Sequence, residues 1–205
     1  MKVLGISCSP RRGGNTEILV QEALKGAKEE GAVVELLSLS GKDIKPCDGC
    51  RGCETTGLCK IKDDMQEIYG ELLNADGIII GTPIFYWSLC GQAKVLLDRT
   101  FALNFPRLQL ANKVGGAIAV AGRAGTMNGL MTLLQYFLNN HMRPAEVVPG
   151  LADKKGEIRK DERAMGSAFE MGRQVVQLIE TGFKFPKEFD VPIYRHWAEK
   201  RKSAK

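Results

Sequence analysis

Short apolar runs rich in β-branched residues alternate with amphipathic helical stretches along most of the chain, and this alternation constrains the fold more than any other feature. It predicts a parallel sheet with helices on both faces. In such a fold the ligand site lies beyond the carboxyl ends of the strands. The predicted strands are 2–8, 32–39, 76–82, 113–121 and 145–148, and the predicted helices are 16–30, 63–74, 92–103, 127–141 and 161–180.

The length and composition of the chain indicate one main domain with an ordinary hydrophobic core. The chain has 205 residues, of which 44% are hydrophobic and 26% are charged. The longest apolar stretches are short and interrupted by glycine, so we expect no membrane-spanning segment. The first apolar run leads into Ser-Pro-Arg-Arg rather than into a cleavage site. We therefore expect a cytoplasmic protein.

The net charge of +5 is concentrated near the C-terminus. Residues 184–205 hold seven Lys or Arg against three Asp or Glu, so the body of the chain is almost neutral. Nucleic-acid binding needs a basic face on the folded body, and we expect no nucleic-acid partner. Because aromatic residues share this segment, we interpret it as a tail that packs on a neighbouring surface, beside a domain of residues 1–183. A partly ordered terminus with a solvated basic end is the alternative.

The loop between the first predicted strand and helix has the composition of a phosphate-binding site. Residues 7–16 read SCSPRRGGNT, and free backbone N–H groups at the start of a helix attract anions. Neither a dinucleotide GxGxxG pattern nor a Walker lysine is present. A single phosphate site in this strand alternation points to flavin mononucleotide (FMN), although a glycine-rich connection without a ligand is the alternative. The candidate donors are Ser9, Asn15 and Thr16, with the positive charge from Arg11 or Arg12.

Three consecutive aromatic residues follow the buried third strand. Phe85, Tyr86 and Trp87 cannot all point into one core, so we expect some of them to face the ligand site, where a flat ring could lie. An aromatic cluster that seals the end of the sheet is the alternative. The loop AGRAG at 121–125 ends the fourth strand on the same edge. We expect it to border the ring through Ala121, Gly122 and Arg123.

Four of the six cysteines lie within thirteen positions, in the spacing C-x2-C-x2-C-x5-C. Thiolates at three-residue intervals wrap a compact object, and glycines between them allow tight turns, so the pattern favours a [4Fe-4S] cluster. Structural zinc, which usually takes separate C-x2-C pairs, and a thiol relay or structural cysteine group remain alternatives. We call residues 47–59 the cysteine segment; its candidate ligands are Cys47, Cys50, Cys53 and Cys59. Cys8 and Cys90 lie outside the spacing, and Cys8 is predicted to be a core residue.

Three motifs in register carry a resemblance to a known family. SPRxGGNT at 9–16, GTPIFYW at 81–87 and the stretch from Gly91 to Arg99 resemble the flavodoxin-like NADPH-dependent FMN reductase superfamily, and the cysteine segment resembles its iron-sulfur flavoproteins. The resemblance implies a doubly wound five-stranded parallel sheet of order 2-1-3-4-5, with the cysteine-rich insertion after strand 2. It also implies a homotetramer. The exposed apolar surface expected from the sequence indicates only that the chain forms a dimer or a larger oligomer. The implied phosphate contacts are Ser9, Arg11, Asn15 and Thr16, and the implied ring contacts are Pro83, Ile84, Phe85, Tyr86 and Trp87.

These features predict a redox protein that moves electrons between FMN and a [4Fe-4S] cluster. No side chain stands out as a general acid, base or nucleophile, so no catalytic residue is assigned. The absence of a nicotinamide-specific motif favours a ferredoxin-like electron donor over NAD(P)H. The alternatives are an NAD(P)H-dependent FMN or quinone reductase with a structural cysteine site, and a non-catalytic electron carrier or redox sensor.

Overall fold

A computed structural model describes residues 1–192 and 195–197. Five parallel strands form a sheet of order β2-β1-β3-β5-β6, and the short β4 pairs antiparallel with β3. The prediction of a doubly wound parallel sheet is therefore confirmed, and the implied order 2-1-3-4-5 is that of the five parallel strands. The strands are β1 (Lys2–Ser7), β2 (Val33–Ser38), β3 (Gly77–Phe85), β4 (Ser88–Leu89), β5 (Val114–Ala121) and β6 (Arg143–Leu151). The α-helices are α1 (Asn15–Glu29), α2 (Cys53–Thr56), α3 (Met65–Asn74), α4 (Gly91–Arg99), α5 (Thr126–Asn139) and α6 (Glu162–Glu180).

Helices cover both faces of the sheet, and the strands bury their side chains on both sides. Leu4, Ile6 and Ile80 pack with α3, α4 and α5 on one face, whereas Val3 and Ile79 pack with α1 and α6 on the other. Neighbouring positions of one strand thus enter opposite cores, as the period of a strand requires. This explains why the central strands read as continuous apolar runs rather than as alternating ones.

Helices α1 and α6 approach each other closely because each has a glycine at the contact. A Cβ atom at Gly172 would lie 1.8 Å from the carbonyl oxygen of Ala23, and one at Gly26 would lie 2.0 Å from that of Phe169. Any side chain would therefore force the helices apart. The close contact fixes α1 against α6 on one face of the sheet, and α1 begins where the loop after β1 ends.

Three element boundaries differ from the sequence prediction by more than two residues. The last strand runs over Arg143–Leu151, which is longer than the predicted 145–148. The region 83–89, which follows the predicted third strand, is the end of β3 and a tight hairpin to β4. The predicted helix 92–103 is α4 followed by a 3-10 turn at Thr100–Asn104. The long β6 and the hairpin both extend the sheet toward the carboxyl edge.

The tail packs on the domain of its own chain where the structure describes it. Phe185 stacks on His141 with ring centroids 4.7 Å apart, and the guanidinium of Arg195 lies 4.8 Å from the centre of the Phe105 ring. The basic end, 198–205, and Tyr194 lie outside the described residues. Within the described part of the chain, no helix is long and apolar enough to cross a membrane.

Candidate functional site

A cleft opens at the carboxyl edge of the sheet, between the loops that follow β1, β3, β5 and β6. Its cavity volume is about 260 Å³. We call it the strand-end cleft. Its lining includes Ser9, Arg11, Gly14, Asn15, Thr16, Pro83, Ile84, Phe85, Val120, Gly122, Ala152, Asp153 and Lys155. The cleft therefore lies where an open α/β sheet binds its ligand.

The loop after β1 is held in a tight conformation that leads into α1. Gly13 has a positive φ of 61°, and the hydroxyl of the buried Ser9 accepts a hydrogen bond of 3.1 Å from the backbone N–H of Arg11. The backbone N–H of Gly13 donates to the carboxylate of Glu17 at 3.1 Å. A Cβ at Gly14 would lie 3.0 Å from the carbonyl oxygen of Arg11. The loop is thus closely packed at the N-terminus of α1, where the helix dipole favours an anion.

The loop after β6 forms a wall of the cleft that the sequence analysis missed. Asn15 connects this loop to α1: its amide nitrogen donates to the carbonyl of Lys154 at 2.9 Å, and its amide oxygen accepts from the N–H of Gly156 at 2.8 Å. Both ends of the Asn15 side chain are therefore engaged within the chain. Asp153 and Lys155 line the cleft from this loop. No motif marks these two residues in the sequence, so only the fold could have assigned them to the site.

The aromatic residues after β3 separate into two groups. Phe85 lines the cleft and is partly exposed, whereas Tyr86 and Trp87 form the turn of the β3–β4 hairpin. Tyr86 is 99% exposed. The side chain of Asn128 fixes the turn to α5 by donating to the carbonyl of Trp87 at 2.9 Å. Some of these aromatic residues thus lie at the ligand edge, as expected, but only Phe85 lines the cleft.

The structure brings most of the predicted flavin contacts to one cleft. All four predicted phosphate contacts line it, as do three predicted ring contacts and Gly122. Four predicted contacts are not part of the lining: Tyr86, Trp87, Ala121 and Arg123. Ala121 is buried at the end of β5, and Arg123 is exposed beyond it. Donors at the start of a long helix, an arginine and an apolar wall together suit a flavin phosphate and its ring.

The cysteine segment lies between β2 and α3, and its cysteines line a second, smaller cavity. This cavity has a volume of about 50 Å³. Residues of α4 and of the 3-10 turn that follows it also line the cavity. We call it the cysteine cavity. No residue lines both this cavity and the strand-end cleft. The cysteines in its lining are Cys47, Cys50, Cys53 and Cys59.

The cysteines of the segment affect the pKa of the Cys53 thiol, although their side chains are not arranged around a metal position. Burial raises the pKa of the Cys53 thiol, and the charges of the other three cysteines act in the same direction. Among the described residues, no group of three or more His, Cys, Asp or Glu side chains has the geometry to hold a metal ion. The donor set nevertheless fits an iron-sulfur cluster chemically, because four cysteine thiolates are the ligands such clusters take.

Cys8 and Cys90 belong to the core and not to either site. Both are fully buried, and the Cys90 thiol donates to the carbonyl of Cys8 at 3.2 Å. Burial raises the pKa of Cys8 well above its usual value, and the charge of Cys90 adds to that shift. The prediction that Cys8 is a core residue is confirmed.

A buried ion pair fastens both ends of the cysteine segment to α4. The guanidinium of Arg99 bonds the carboxylate of Asp63 at 2.5 and 3.0 Å, and both side chains are fully buried. Arg99 also donates to the carbonyl of Lys45 at 2.7 Å and to that of Ile61 at 3.4 Å. Lys45 precedes the segment, and Ile61 and Asp63 follow it. The hydrogen bonds that Asp63 accepts from Arg99 hold the pKa of the Asp63 carboxyl below its usual value.

The strand order and the position of the cleft define a flavodoxin-like α/β protein. Solved structures share this fold. RosB, solved with bound 8-demethyl-8-formylriboflavin-5'-phosphate, matches with a TM-score of 0.75 and 16% identity, over 100% of this chain and 88% of that one. A flavodoxin from the domain Archaea matches with a TM-score of 0.60 and 16% identity, over 88% of this chain and 99% of that one.

Sequence comparison narrows the class to one family. The chain belongs to the NADPH-dependent FMN reductase family, whose profile matches residues 1–152. An iron-sulfur flavoprotein of Methanocaldococcus jannaschii is 37% identical over 192 residues, which cover 88% of this chain and 98% of the relative. The resemblance to iron-sulfur flavoproteins of this family is therefore confirmed, and the chain is an oxidoreductase.

Proposed function

We propose that the chain moves electrons between FMN in the strand-end cleft and a [4Fe-4S] cluster in the cysteine cavity. The observation that carries this proposal is that all four cysteines of the segment line one cavity, separate from the cleft. FMN can exchange one or two electrons and the cluster exchanges one, so the two together would link one-electron and two-electron chemistry. A ferredoxin-like protein would supply the single electrons.

The residues of the strand-end cleft would bind and orient the flavin. Arg11 and the first backbone N–H groups of α1 would hold the phosphate. Because the side chain of Asn15 is engaged by the loop after β6, it would shape the cleft, and its backbone N–H would face the phosphate. Phe85 and Pro83 would provide the apolar wall for the ring. The loop has donors for one terminal phosphate, so we expect FMN rather than FAD when the flavin is released by heat and chromatographed.

The residues around the cysteine cavity would hold the cluster close to the surface of the domain. Cys47 and Cys50 are exposed, whereas Cys53 and Cys59 are half-buried. The cluster would thus lie near the surface, where a protein donor can approach it. This placement supports a ferredoxin-like donor.

An NAD(P)H-dependent FMN or quinone reductase with a structural cysteine site is the second candidate. The family itself favours this reading, because its members are described as NADPH-dependent FMN reductases. A non-catalytic electron carrier or redox sensor is the third. Steady-state turnover with NADPH, NADH or reduced ferredoxin as the donor separates these three functions.

Replacing Cys53 by Ser tests the proposed function. We expect Cys53→Ser to lose most of its iron and sulfide after anaerobic purification, because a hydroxyl is a poor ligand for iron-sulfur clusters. FMN should remain bound in equal amount, since the cleft and the cavity share no residue. One-electron exchange with ferredoxin should fall by at least tenfold, whereas any direct reduction of the flavin by NAD(P)H should persist.

Cys90→Ser is the matched control, because Cys90 is a buried cysteine outside the cysteine cavity. It should keep both iron and flavin. Full iron content and full one-electron activity in Cys53→Ser would contradict the cluster assignment. Loss of flavin together with the metal would favour a structural zinc site, because such a site contributes to folding.

A further inference from the structure

Arg99 is the largest fully buried polar side chain near the cysteine cavity, and four of its five N–H groups have partners. One terminal nitrogen donates to Lys45 and Asp63, and the other to Ile61 and Asp63. A guanidinium has five N–H donors in a fixed plane and no acceptor. Its four terminal N–H groups are therefore used within the chain.

The fifth donor, the Nε–H of Arg99, is buried and has no hydrogen-bond partner. Buried N–H groups are almost always paired, because an unpaired one loses its bond to water without compensation. The four other bonds fix the plane of the guanidinium, so the Nε–H cannot turn toward another acceptor. Arg99 lies in the wall of the cysteine cavity. The acceptor for the Nε–H of Arg99 is therefore expected to be a group bound in the cysteine cavity or one of its ligands.

Cys59 and Arg99 both line the cysteine cavity. Cys59 lies two residues before Ile61, whose carbonyl accepts a hydrogen bond of 3.4 Å from the guanidinium of Arg99. The hydroxyl of Tyr69 also donates to the backbone carbonyl of Arg99 at 2.9 Å. Cys59 is thus the last cysteine of the lining before Ile61 and Asp63, both of which are bonded to Arg99.

We propose that the Nε–H of Arg99 donates a hydrogen bond to the sulfur of Cys59 when that cysteine ligates the cluster. This inference rests on the proposed function. A thiolate is a good acceptor for a charged donor, and the bond would satisfy the one unpaired N–H of the guanidinium. Arg99 is then a positioning residue that also tunes the cluster. A hydrogen bond to a cluster sulfur stabilises the more negative reduced form, so it raises the reduction potential.

The test compares the reduction potential of the cluster in the wild type and in Arg99→Lys, by anaerobic titration followed by electron paramagnetic resonance. Lysine keeps the positive charge beside Asp63 but has no planar fork to reach the backbone carbonyls and the sulfur together. In Arg99→Lys we expect the ratio of reduced to oxidised cluster at a fixed potential to fall at least tenfold. For a one-electron couple this corresponds to a reduction potential that is lower by about 59 mV. The matched control is Arg173→Lys, which makes the same change in a surface ion pair with Glu30 and should leave the potential unchanged.

A second measurement uses the wild type and does not depend on the folding of a variant. Protein grown with ¹⁵N-arginine is reduced, and nitrogen coupling to the cluster is sought by electron spin echo spectroscopy. Only arginines at the cavity can give a resolved signal, and Arg51 is the other arginine in its lining. We expect coupling in the wild type and in Arg51→Lys, and its loss in Arg99→Lys.

The outcomes distinguish this inference from the proposed function. A wild type that contains no iron-sulfur cluster overturns both. If the cluster is present but the labelled wild type shows no nitrogen coupling, or if only Arg51→Lys abolishes it, the Arg99 proposal alone is wrong. An unchanged potential in a cluster-loaded Arg99→Lys variant also overturns it. If Arg99→Lys does not fold, the coupling in the wild type and in Arg51→Lys decides.

Discussion

Arg11 and Arg12 are neighbours in the loop after β1, but they have different surroundings. Arg11 lines the strand-end cleft, whereas Arg12 donates to the carbonyl of Ser40 at 3.4 Å and does not line it. We expect Arg11→Ala to weaken FMN binding by about 1.5 kcal/mol, roughly tenfold in Kd, because it removes a charge-assisted phosphate contact. Titration of the flavin-free protein, followed by flavin fluorescence, measures this. Arg12→Ala is the control, and an equal loss in both variants would contradict the assignment of the phosphate contact to Arg11.

Tyr86 and Trp87 both have positive φ values, 47° and 69°. Two-residue hairpin turns of this kind favour Asn and Gly, and bulky side chains are strained there. Since Tyr86 is 99% exposed, its ring contributes almost no packing within the chain. We expect Tyr86→Asn to raise the free energy of unfolding of the flavin-free protein by about 1 kcal/mol, because Asn tolerates this conformation.

Urea denaturation measures this change in the free energy of unfolding. Tyr86→Ala is the control, because Ala also removes the ring but does not tolerate a positive φ as Asn does. Equal stability of the two variants would show that backbone strain is not the cause. A strained and exposed aromatic residue beside the cleft is expected where a binding function opposes stability.

At the scale of elements, the packing of α1 on α6 gives a prediction with a control on the same helix. A Cβ at Gly172 would lie 1.8 Å from the carbonyl oxygen of Ala23, whereas Gly166 has open space around its Cβ position. We expect Gly172→Ala to destabilise the protein by about 3 kcal/mol or more, as overpacking does in a core. Gly166→Ala should instead stabilise it by up to about 1 kcal/mol through helix propensity.

Thermal unfolding of both variants measures the difference. Similar melting temperatures would mean that α1 and α6 are not packed as closely as described. Because α1 carries the N–H groups at the cleft, Gly172→Ala should also weaken FMN binding, whereas Gly166→Ala should not.

The elements that the sequence analysis located are those whose signal is local. The buried strands were found because both of their faces pack against helices, so that Ile78, Ile79 and Ile80 form one apolar run. The hairpin was missed because Tyr86 and Trp87 are not the residues that such a turn normally uses. The boundaries of β6 were placed too narrowly because Pro144 and Pro149 interrupt its apolar pattern.

The candidate site shows the same division between local and non-local information. The loop with Ser9 and Arg11 and the cysteine segment have motifs of their own. Asp153 and Lys155 reach the cleft only because Asn15 fixes the loop after β6 to α1, and Arg99 reaches the cysteine cavity only through the packing of α4. Contacts between residues so far apart in the chain leave no pattern in a single sequence.

The surface of the whole molecule has an apolar area that supports oligomerisation. Met127, Met131 and Leu138 are exposed along α5, at 60%, 56% and 54%, and the exposed hairpin turn is bonded to the start of this helix. Apolar side chains that are exposed together along one helix favour an interface with another molecule. We expect a homodimer or homotetramer in solution, and Met131→Glu should shift it toward the monomer.

Light scattering at micromolar concentration measures the assembly. Leu73→Glu, which changes an exposed leucine of α3 outside this surface, is the control. A wild type that scatters as a 22.5 kDa monomer would contradict the prediction, and so would an equal effect of both variants.

The hydrogen bonds of Arg99 to both ends of the cysteine segment also determine whether the segment loses its conformational entropy on folding or on metal binding. The segment is closed into a loop by the folded domain, since Lys45 on one side and Ile61 and Asp63 on the other are bonded to one side chain of α4. The entropy of bringing its ends together is thus lost on folding and not on metal binding. If the cluster binds as proposed, its loading would be a late step on an already folded scaffold, and we expect the far-ultraviolet circular dichroism of the metal-free and the loaded protein to be nearly the same.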